Sequence, residues 1–268
     1  MNEKINKKLN QLFSLENKVI LMTGAAGDIG SSLSKGLAEV GANMALCDFK
    51  KEGLNEIEKE IISKGNQATS FFIDMMDLNS VYSCVDAVIN KYGKIDVLIN
   101  MAGINKREPL LKGDEETFDR IIGVNLKGVY FISQKVAKYM IQEKSGSIIN
   151  IASYNAVMML GGNSIYGASK SGIAALTRSQ AIEWAKYGIR SNAISPGHIS
   201  TSLTAPLWDD PVRSKYLLDR IAMARPGKPE DLLGMTILLA SDASAYMSGM
   251  LYHVDGGCLA GGQPWELE

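Results

Sequence analysis

Four polar residues could move a proton together: Tyr166, Lys170, Ser153 and Asn125. Tyr166 and Lys170 stand four apart in "YGASK", so on a helix they share one face. A free phenol titrates near 10 and is a poor base at neutral pH. An ammonium on the same face stabilises the phenolate, at about 1.4 kcal/mol for each pKa unit of lowering. Ser153 precedes Tyr166 by 13 residues and ends an apolar run, "GSIINIAS" (146–153). Its hydroxyl can hold a substrate oxygen near the phenol. Asn125 sits inside a helical stretch, "IIGVNLKG", where asparagine is a poor helix former. Such a local conflict marks a position with another task. Each residue also has a plain reading: Tyr166 and Lys170 as ordinary helix residues, Ser153 as a turn serine, and Asn125 as an interhelical hydrogen bond.

A second feature is "LMTGAAGDIG" (21–30), an apolar run that enters three glycines, Gly24, Gly27 and Gly30. Glycines at a strand-to-helix turn let the backbone approach a pyrophosphate, and the helix N-terminus supplies N–H groups. Close packing alone would also explain them. Asp48 lies 18 residues after Gly30, near the spacing at which an acid accepts from a free ribose 2′-hydroxyl. A carboxylate there repels a 2′-phosphate. Phe49 follows it and the glycine loop carries no basic residue, which favours NAD over NADP. The neighbouring Lys50 and Lys51 keep the NADP reading open, and Asp48 as a helix cap is the plain alternative.

The elements that must position these residues are legible as alternating short apolar runs and helical stretches. Strands are expected at 18–23, 43–48, 68–74, 95–100, 146–153, 189–195 and 250–256. Helices are expected at 30–40, 52–65, 78–92, 115–142 and 165–187. Alternation with strands apolar throughout implies an α/β fold: a single-domain doubly wound parallel β-sheet, the Rossmann fold, with helices on both faces. Residues 1–14 read as a peripheral, partly helical arm and 15–268 as one domain. The proline-marked 196–228 reads as a long irregular substrate loop.

Composition excludes several classes. The 268 residues carry 28 basic and 29 acidic side chains, with no basic excess for nucleic acid or an anionic membrane. Three scattered cysteines, Cys47, Cys84 and Cys258, form no disulfide framework or metal motif, and two histidines exclude a histidine metal cluster. The N-terminus has no signal-peptide core, and no apolar run is long enough to span a bilayer. A cytoplasmic protein with reduced thiols is expected.

The motifs fall in one order: the glycine loop, Asp74 after the third strand, "NMAG" (100–103), Asn125, Ser153, "YGASK" (166–170), "SPGHIST" (195–201) and "LASDASAYMSGMLYHVDGG" (239–257). Over roughly 15–260 this resembles the short-chain dehydrogenase/reductase family. The stretches "LFSLENKVILMTGAAG", "AGINKREP" and "VDGGCLAGG" are similar to its gluconate 5-dehydrogenase-like, sugar dehydrogenase branch. The resemblance implies Asn125, Ser153, Tyr166 and Lys170 as the catalytic set. It implies that the helix opens at Asn125 to hold a water linking Lys170 to solvent. It places Gly24, Gly27, Asp28, Ile29, Gly30, Asp48, Phe49, Met75, Ala102, Gly103, Tyr166, Lys170, Pro196 and Gly197 around NAD. Asp74 is expected by the adenine, Asn100 by a ribose, and Ile199 and Thr201 by the nicotinamide amide. Asp28 stands where the family has a glycine, and is expected to turn away or to cap the helix. Met101 replaces a second asparagine that braces the sheet.

Substrate contacts are expected from Ser153, Asn155, Tyr166, Arg107 and His198. Asn105, Lys106 and Asn163 are further polar groups, and a mobile 202–225 segment with Leu203, Leu207 and Trp208 is a lid. The methionines of "AVMMLGG" (156–162) equally suit an apolar alcohol. The implied activity is NAD-dependent oxidation of a secondary alcohol in a polyol, sugar or sugar acid. The alternatives are an NADPH-dependent carbonyl reductase of 3-oxoacyl or steroid type, and an inactive dinucleotide-binding regulator. A regulator predicts a broken catalytic set, whereas all four residues are present. A homotetramer is implied, packed through helices 115–142 and 165–187, with Gly128, Val129, Phe131, Ala174 and Ala175 on the packing surface.

Overall fold

Along β1 (Val19–Thr23) every residue is buried, yet successive side chains enter different cores. Ile20 and Met22 join one apolar cluster, while Val19 and Leu21 join a second. That period of two is the mark of a strand covered on both faces. The structure, a computed structural model, describes residues 2–264. Before β1 comes α1 (Asn2–Phe13), and after it α2 (Asp28–Glu39), β2 (Asn43–Asp48), α3 (Lys51–Ser63), β3 (Ala68–Phe72), α4 (Leu78–Tyr92) and β4 (Val97–Asn100). Then follow α5 (Glu115–Ile122), α6 (Val129–Glu143), β5 (Gly146–Ile151), α7 (Ser164–Trp184), β6 (Ile189–Pro196), α8 (Ala205–Trp208), α9 (Pro211–Leu218), α10 (Leu233–Ala240) and β7 (Leu251–Val254).

The seven strands form one parallel sheet in the order β3-β2-β1-β4-β5-β6-β7. Strand order reverses between β1 and β4, so the crevice beyond their C-terminal ends is the expected ligand position. Leu33, Leu37, Leu54, Ile57 and Leu239, from α2, α3 and α10, fill one face. Val81, Val85, Ile132, Val136 and Ile173, from α4, α6 and α7, fill the other. Leu15, fully buried, is where the chain enters the core after the arm.

Three expectations need correction. The helix expected over 115–142 is two helices joined by a π-helical turn, Gly123–Gly128, with Asn125 inside it. The irregular stretch 196–228 contains α8 and α9, and its ends are tied where Ile199 bridges Gly227. A helix absent from the sequence reading, α10, packs against α2 and β5. Of the surface expected between subunits, Gly128, Val129 and Ala174 are buried within this chain. Ala175 is exposed and Phe131 partly so.

Candidate active site

The crevice begins with Gly24, whose φ of +72° lies in the left-handed region. A Cβ there would sit 2.8 Å from the Ala102 backbone, so β1 and β4 close on each other only around glycine. A side chain at Gly30 would collide with the Gly24 carbonyl. Gly27 is the N-cap of α2 and no side chain caps the helix, leaving first-turn N–H groups for an anion. A tight glycine cradle and an uncapped helix start fit a dinucleotide pyrophosphate.

Asp28 does not cap α2. Its carboxylate accepts the backbone N–H of Ser202, joining the glycine loop to the 196–228 segment. Ile29 packs against the core. Asp48 accepts from the Ala26 N–H at 3.0 Å through one oxygen and from the Lys50 N–H at 2.9 Å through the other. It therefore holds the glycine loop while its remaining lone pairs stay available. Phe49 is exposed and leans on Phe72, with ring centroids 5.8 Å apart.

Asp74 accepts from the Met76 N–H at 2.9 Å, and Met75 is buried with its carbonyl against Gly128. The Asn100 side chain is engaged within the fold. Its amide donates to Asn150 at 2.8 Å and to Ser133 at 3.0 Å, so its side chain ties β4 to β5 and α6. The bracing task attributed to position 101 falls to Asn100, and Met101 packs against the core instead. Ala102 donates its N–H to the Thr23 hydroxyl at 3.2 Å. Along the end of β6, Pro196 is a strand residue and the Gly197 N–H donates to the Val254 carbonyl at 3.0 Å. Ile199 is buried and Thr201 forms a hydroxyl turn with Thr204.

The four proposed catalytic side chains converge beside this crevice. Asn125, fully buried, accepts from the Ile104 N–H at 2.8 Å and donates to the Ile104 carbonyl at 2.9 Å. It also donates to the Ser169 hydroxyl at 3.1 Å, and that hydroxyl donates to the Tyr166 carbonyl at 2.6 Å. The π turn therefore locks Asn125 to the helix that carries Tyr166 and Lys170. A Cβ on Gly103 would lie 3.3 Å from the Lys170 ammonium and 3.5 Å from the Asn125 carbonyl oxygen, so glycine keeps that meeting point open. Lys170 donates to the Ile151 carbonyl at 2.7 Å, and burial lowers its pKa to about 8.

The Tyr166 phenol is hydrogen-bonded with the Ser153 hydroxyl. Burial raises its pKa, and the neighbouring Ser153 hydroxyl and Arg107 cation only partly offset that rise. The Lys170 ammonium lies 5.6 Å from the phenol ring centre. Ser153 is buried and accepts from the Asn155 N–H at 3.1 Å.

Several expected substrate groups are already engaged. The Asn155 carbonyl oxygen accepts from the Leu160 N–H at 3.3 Å, and that of Asn163 accepts from Asn105 at 3.0 Å. Lys106 binds Glu108 at 2.9 Å, Asp114 at 3.2 Å and Thr117 at 2.9 Å, so it is not a free carboxylate partner. Arg107 is exposed, and its charge acts on Tyr154, Tyr166 and His198 alike. His198 is buried against Tyr154 and Trp208. Sequence reasoning missed Tyr154, whose only signal was adjacency to Ser153, and Thr23 and Ser169, which act through their hydroxyls. A cavity of about 410 Å³ adjoins His198 and is lined by Ile221, Met223, Arg225 and His253, with none of the four proposed catalytic side chains.

A parallel sheet with a glycine-bound crevice and a tyrosine–lysine helix beside it defines a nucleotide-dependent oxidoreductase. Residues 24–258 match the family model described as enoyl-(acyl carrier protein) reductase. The chain belongs to the short-chain dehydrogenase/reductase family, whose NAD(P)-dependent members act on hydroxyl and keto groups. It is 41% identical to the 2-dehydro-3-deoxy-D-gluconate 5-dehydrogenase of Dickeya dadantii, over 92% of this chain and 98% of that one. It is 38% identical to the 3-oxoacyl-[acyl-carrier-protein] reductase of Thermotoga maritima, over 91% and 98%. A gluconate 5-dehydrogenase from Burkholderia cenocepacia, solved with NADP and tartrate, superposes with a TM-score of 0.90 at 34% identity, covering 93% of this chain and 98% of that one. No helix among the described residues is long and apolar enough to cross a membrane.

Proposed function

We propose that this enzyme interconverts a secondary hydroxyl and a ketone on a sugar acid or related polyol, with NAD as cofactor. The observation that carries the substrate class is Arg107, an exposed cation whose charge reaches Tyr166 and His198. A guanidinium with no carboxylate partner among the described residues is suited to a substrate carboxylate. Relatives named for gluconate and its dehydro-deoxy derivative support the same class.

Tyr166 exchanges the proton of the reacting oxygen, and Ser153 hydrogen-bonds that oxygen and fixes its position. Lys170, charged below about pH 8, supplies a cation close to the phenol, and Asn125 keeps the helix in register. The bound nicotinamide supplies or accepts the hydride. Asp48 supports NAD, since its carboxylate stands at the end of β2 where a 2′-phosphate would meet like charge. NADP in the Burkholderia relative supports the opposite preference. The Thermotoga relative supports a second reading, reduction of acyl-carrier-bound ketones. Apolar Met159, packed on Gly167 beside Tyr166, suits that class.

Steady-state rates with gluconate, a neutral hexitol and a hydrophobic secondary alcohol, each with NAD and NADP, decide between these readings. The sugar-acid reading expects gluconate to lead and Arg107→Ala to raise its KM. A preference for the hydrophobic alcohol removes that reading, and a higher kcat/KM with NADP removes the assignment to Asp48.

A further inference from the structure

The C-terminal end of α9 is capped by a side chain from a distant part of the chain. The last carbonyls of a helix have no partner within it. In α9 those of Tyr216 and Leu217 accept from Arg220, and the Leu218 carbonyl accepts from the Ile221 N–H at 3.0 Å. Gln263 adds three further bonds at the same corner. Its carboxamide donates to the Ile221 carbonyl at 3.0 Å and the Leu218 carbonyl at 3.4 Å, and its backbone N–H donates to the Asp219 carbonyl at 3.3 Å. The turn that carries Gln263 is fixed at both ends of its approach. Asp255 holds its start by accepting from the Gly257 and Leu259 N–H groups. Gly262, at a φ of +77°, comes so close that a Cβ there would lie 3.1 Å from the Arg220 main chain.

Position ties this cap to the chemistry. The segment after β6 is held at its near end, where Ile199 bridges Gly227 and Asp28 accepts from Ser202. Its far end is the corner at 218–223, where Gln263 binds and the Met223 N–H donates to the Gly256 carbonyl at 3.0 Å. Between these ends α8 and α9 pack on each other. Of their residues only Leu217 is buried, so few core contacts hold them and the end ties carry more of the weight. α8 ends in Trp208, whose ring meets His198, and His198 packs on Tyr154, the neighbour of Ser153. Ile221 and Met223 line the same cavity as His198. Packed groups therefore join the Gln263 corner to Ser153.

We propose that Gln263 is a positioning residue for the substrate: by capping α9 it holds the α8–α9 segment against His198 and Tyr154, beside Ser153, and so sets substrate KM without touching the reacting atoms. This role rests on the reaction proposed at Ser153 and Tyr166, whichever substrate class is taken. A ligand that needs one arrangement of a segment binds more weakly in proportion as that arrangement is less populated. Loss of the cap lowers that population, so KM rises while the chemical step is unchanged. Ile199 and Thr201, the residues proposed beside the nicotinamide, lie at the near end with ties of their own, so cofactor binding is spared.

Gln263 is exposed, so replacing it leaves the core intact. Gln263→Ala removes the carboxamide, and Gln263→Glu keeps its size but offers the two carbonyls no N–H. Each is expected to raise substrate KM about 5-fold, the scale of one net hydrogen bond, with kcat and the Kd for NADH within about 2-fold of wild type. KM is measured with gluconate and with a hydrophobic secondary alcohol. Limited trypsin digestion at Arg213 and Lys215, both exposed on α9, reads the segment without turnover. Cleavage follows the population of the open form, so both variants are expected to be cut about 5-fold faster at unchanged Tm. An unchanged KM in either variant overturns the positioning role, whatever the cleavage rate. Parallel losses in KM, kcat and NADH affinity with a lower Tm mark a merely structural residue and overturn it as well. Cleavage no faster than in wild type overturns the cap. Turnover of the alcohol but not of gluconate removes the sugar-acid reading and leaves the KM comparison standing. Wild type inactive on both removes the proposed reaction, and digestion alone then judges the cap.

Discussion

The Lys170 ammonium donates to the Ile151 carbonyl oxygen at 2.7 Å while only 3% of the residue is exposed. One carbonyl does not replace a hydration shell, so burial lowers the folded-state pKa from 10.5 to about 8. Between those values the unfolded chain binds more protons than the folded one. Stability from this residue therefore rises with pH through that window, by roughly 3 kcal/mol at most. Urea unfolding at pH 7.5 and 9.5 is expected to show wild type gaining on Lys170→Met. An equal pH response in both proteins contradicts the buried-ammonium account.

Tyr166→Phe removes the phenol that is hydrogen-bonded with the Ser153 hydroxyl, and leaves the ring that packs there. We expect a folded protein with unchanged dinucleotide binding and kcat reduced by at least about 100-fold. Single-turnover rates and fluorescence titration of the cofactor check both halves. A folded variant with near-normal kcat removes Tyr166 from the proton transfer.

What the sequence disclosed depended on how local the determinant was. The strands were legible because burial on both faces demands continuous apolar runs, whereas Asn125, a poor helix former, marked only a local conflict, and the opening of its helix was implied by the family resemblance alone. The 196–228 segment was misread because Pro206 and Pro211 look like breakers. Both sit in the first turn of their helices, where a missing N–H costs nothing, and Asp210 caps the second through Val212 and Arg213. The α10 stretch "LGMTILLA" is apolar almost throughout and so offered no period to read. Side-chain partners were the least legible. Nothing in "NKREP" says that Lys106 turns to Asp114 while Arg107 stays exposed. Nor does "NMAG" say that Asn100, rather than its neighbour, braces the sheet.

Assembly is expected through the outward faces of α6 and α7, where Tyr130 is 47% and Ile182 79% exposed. We expect a homotetramer by light scattering, about four times the 29.0 kDa chain mass. Ile182→Glu places a charge in that apolar contact and should lower the mass at micromolar concentration. A wild-type monomer at that concentration contradicts the assembly outright. An unchanged tetramer in the variant moves the contact elsewhere.

Asp28 sets two demands against each other. Its carboxylate stands at the N-terminus of α2, where the helix dipole and free N–H groups attract a phosphate. The same carboxylate accepts the Ser202 N–H and so restrains the segment that carries His198 and Trp208. Asp28→Asn keeps a carbonyl oxygen for Ser202 and removes only the charge. It should tighten NADH by about 3- to 10-fold, the scale of one charge near a helix end, with little change in substrate KM. Asp28→Gly removes the tie as well, and should add a rise in substrate KM to the same gain in cofactor affinity. Calorimetric titration of NADH and steady-state kinetics separate the two effects. If NADH binds Asp28→Asn no more tightly than wild type, the carboxylate does not compete with the pyrophosphate. If Asp28→Gly leaves substrate KM unchanged, the Ser202 contact does not position the substrate segment.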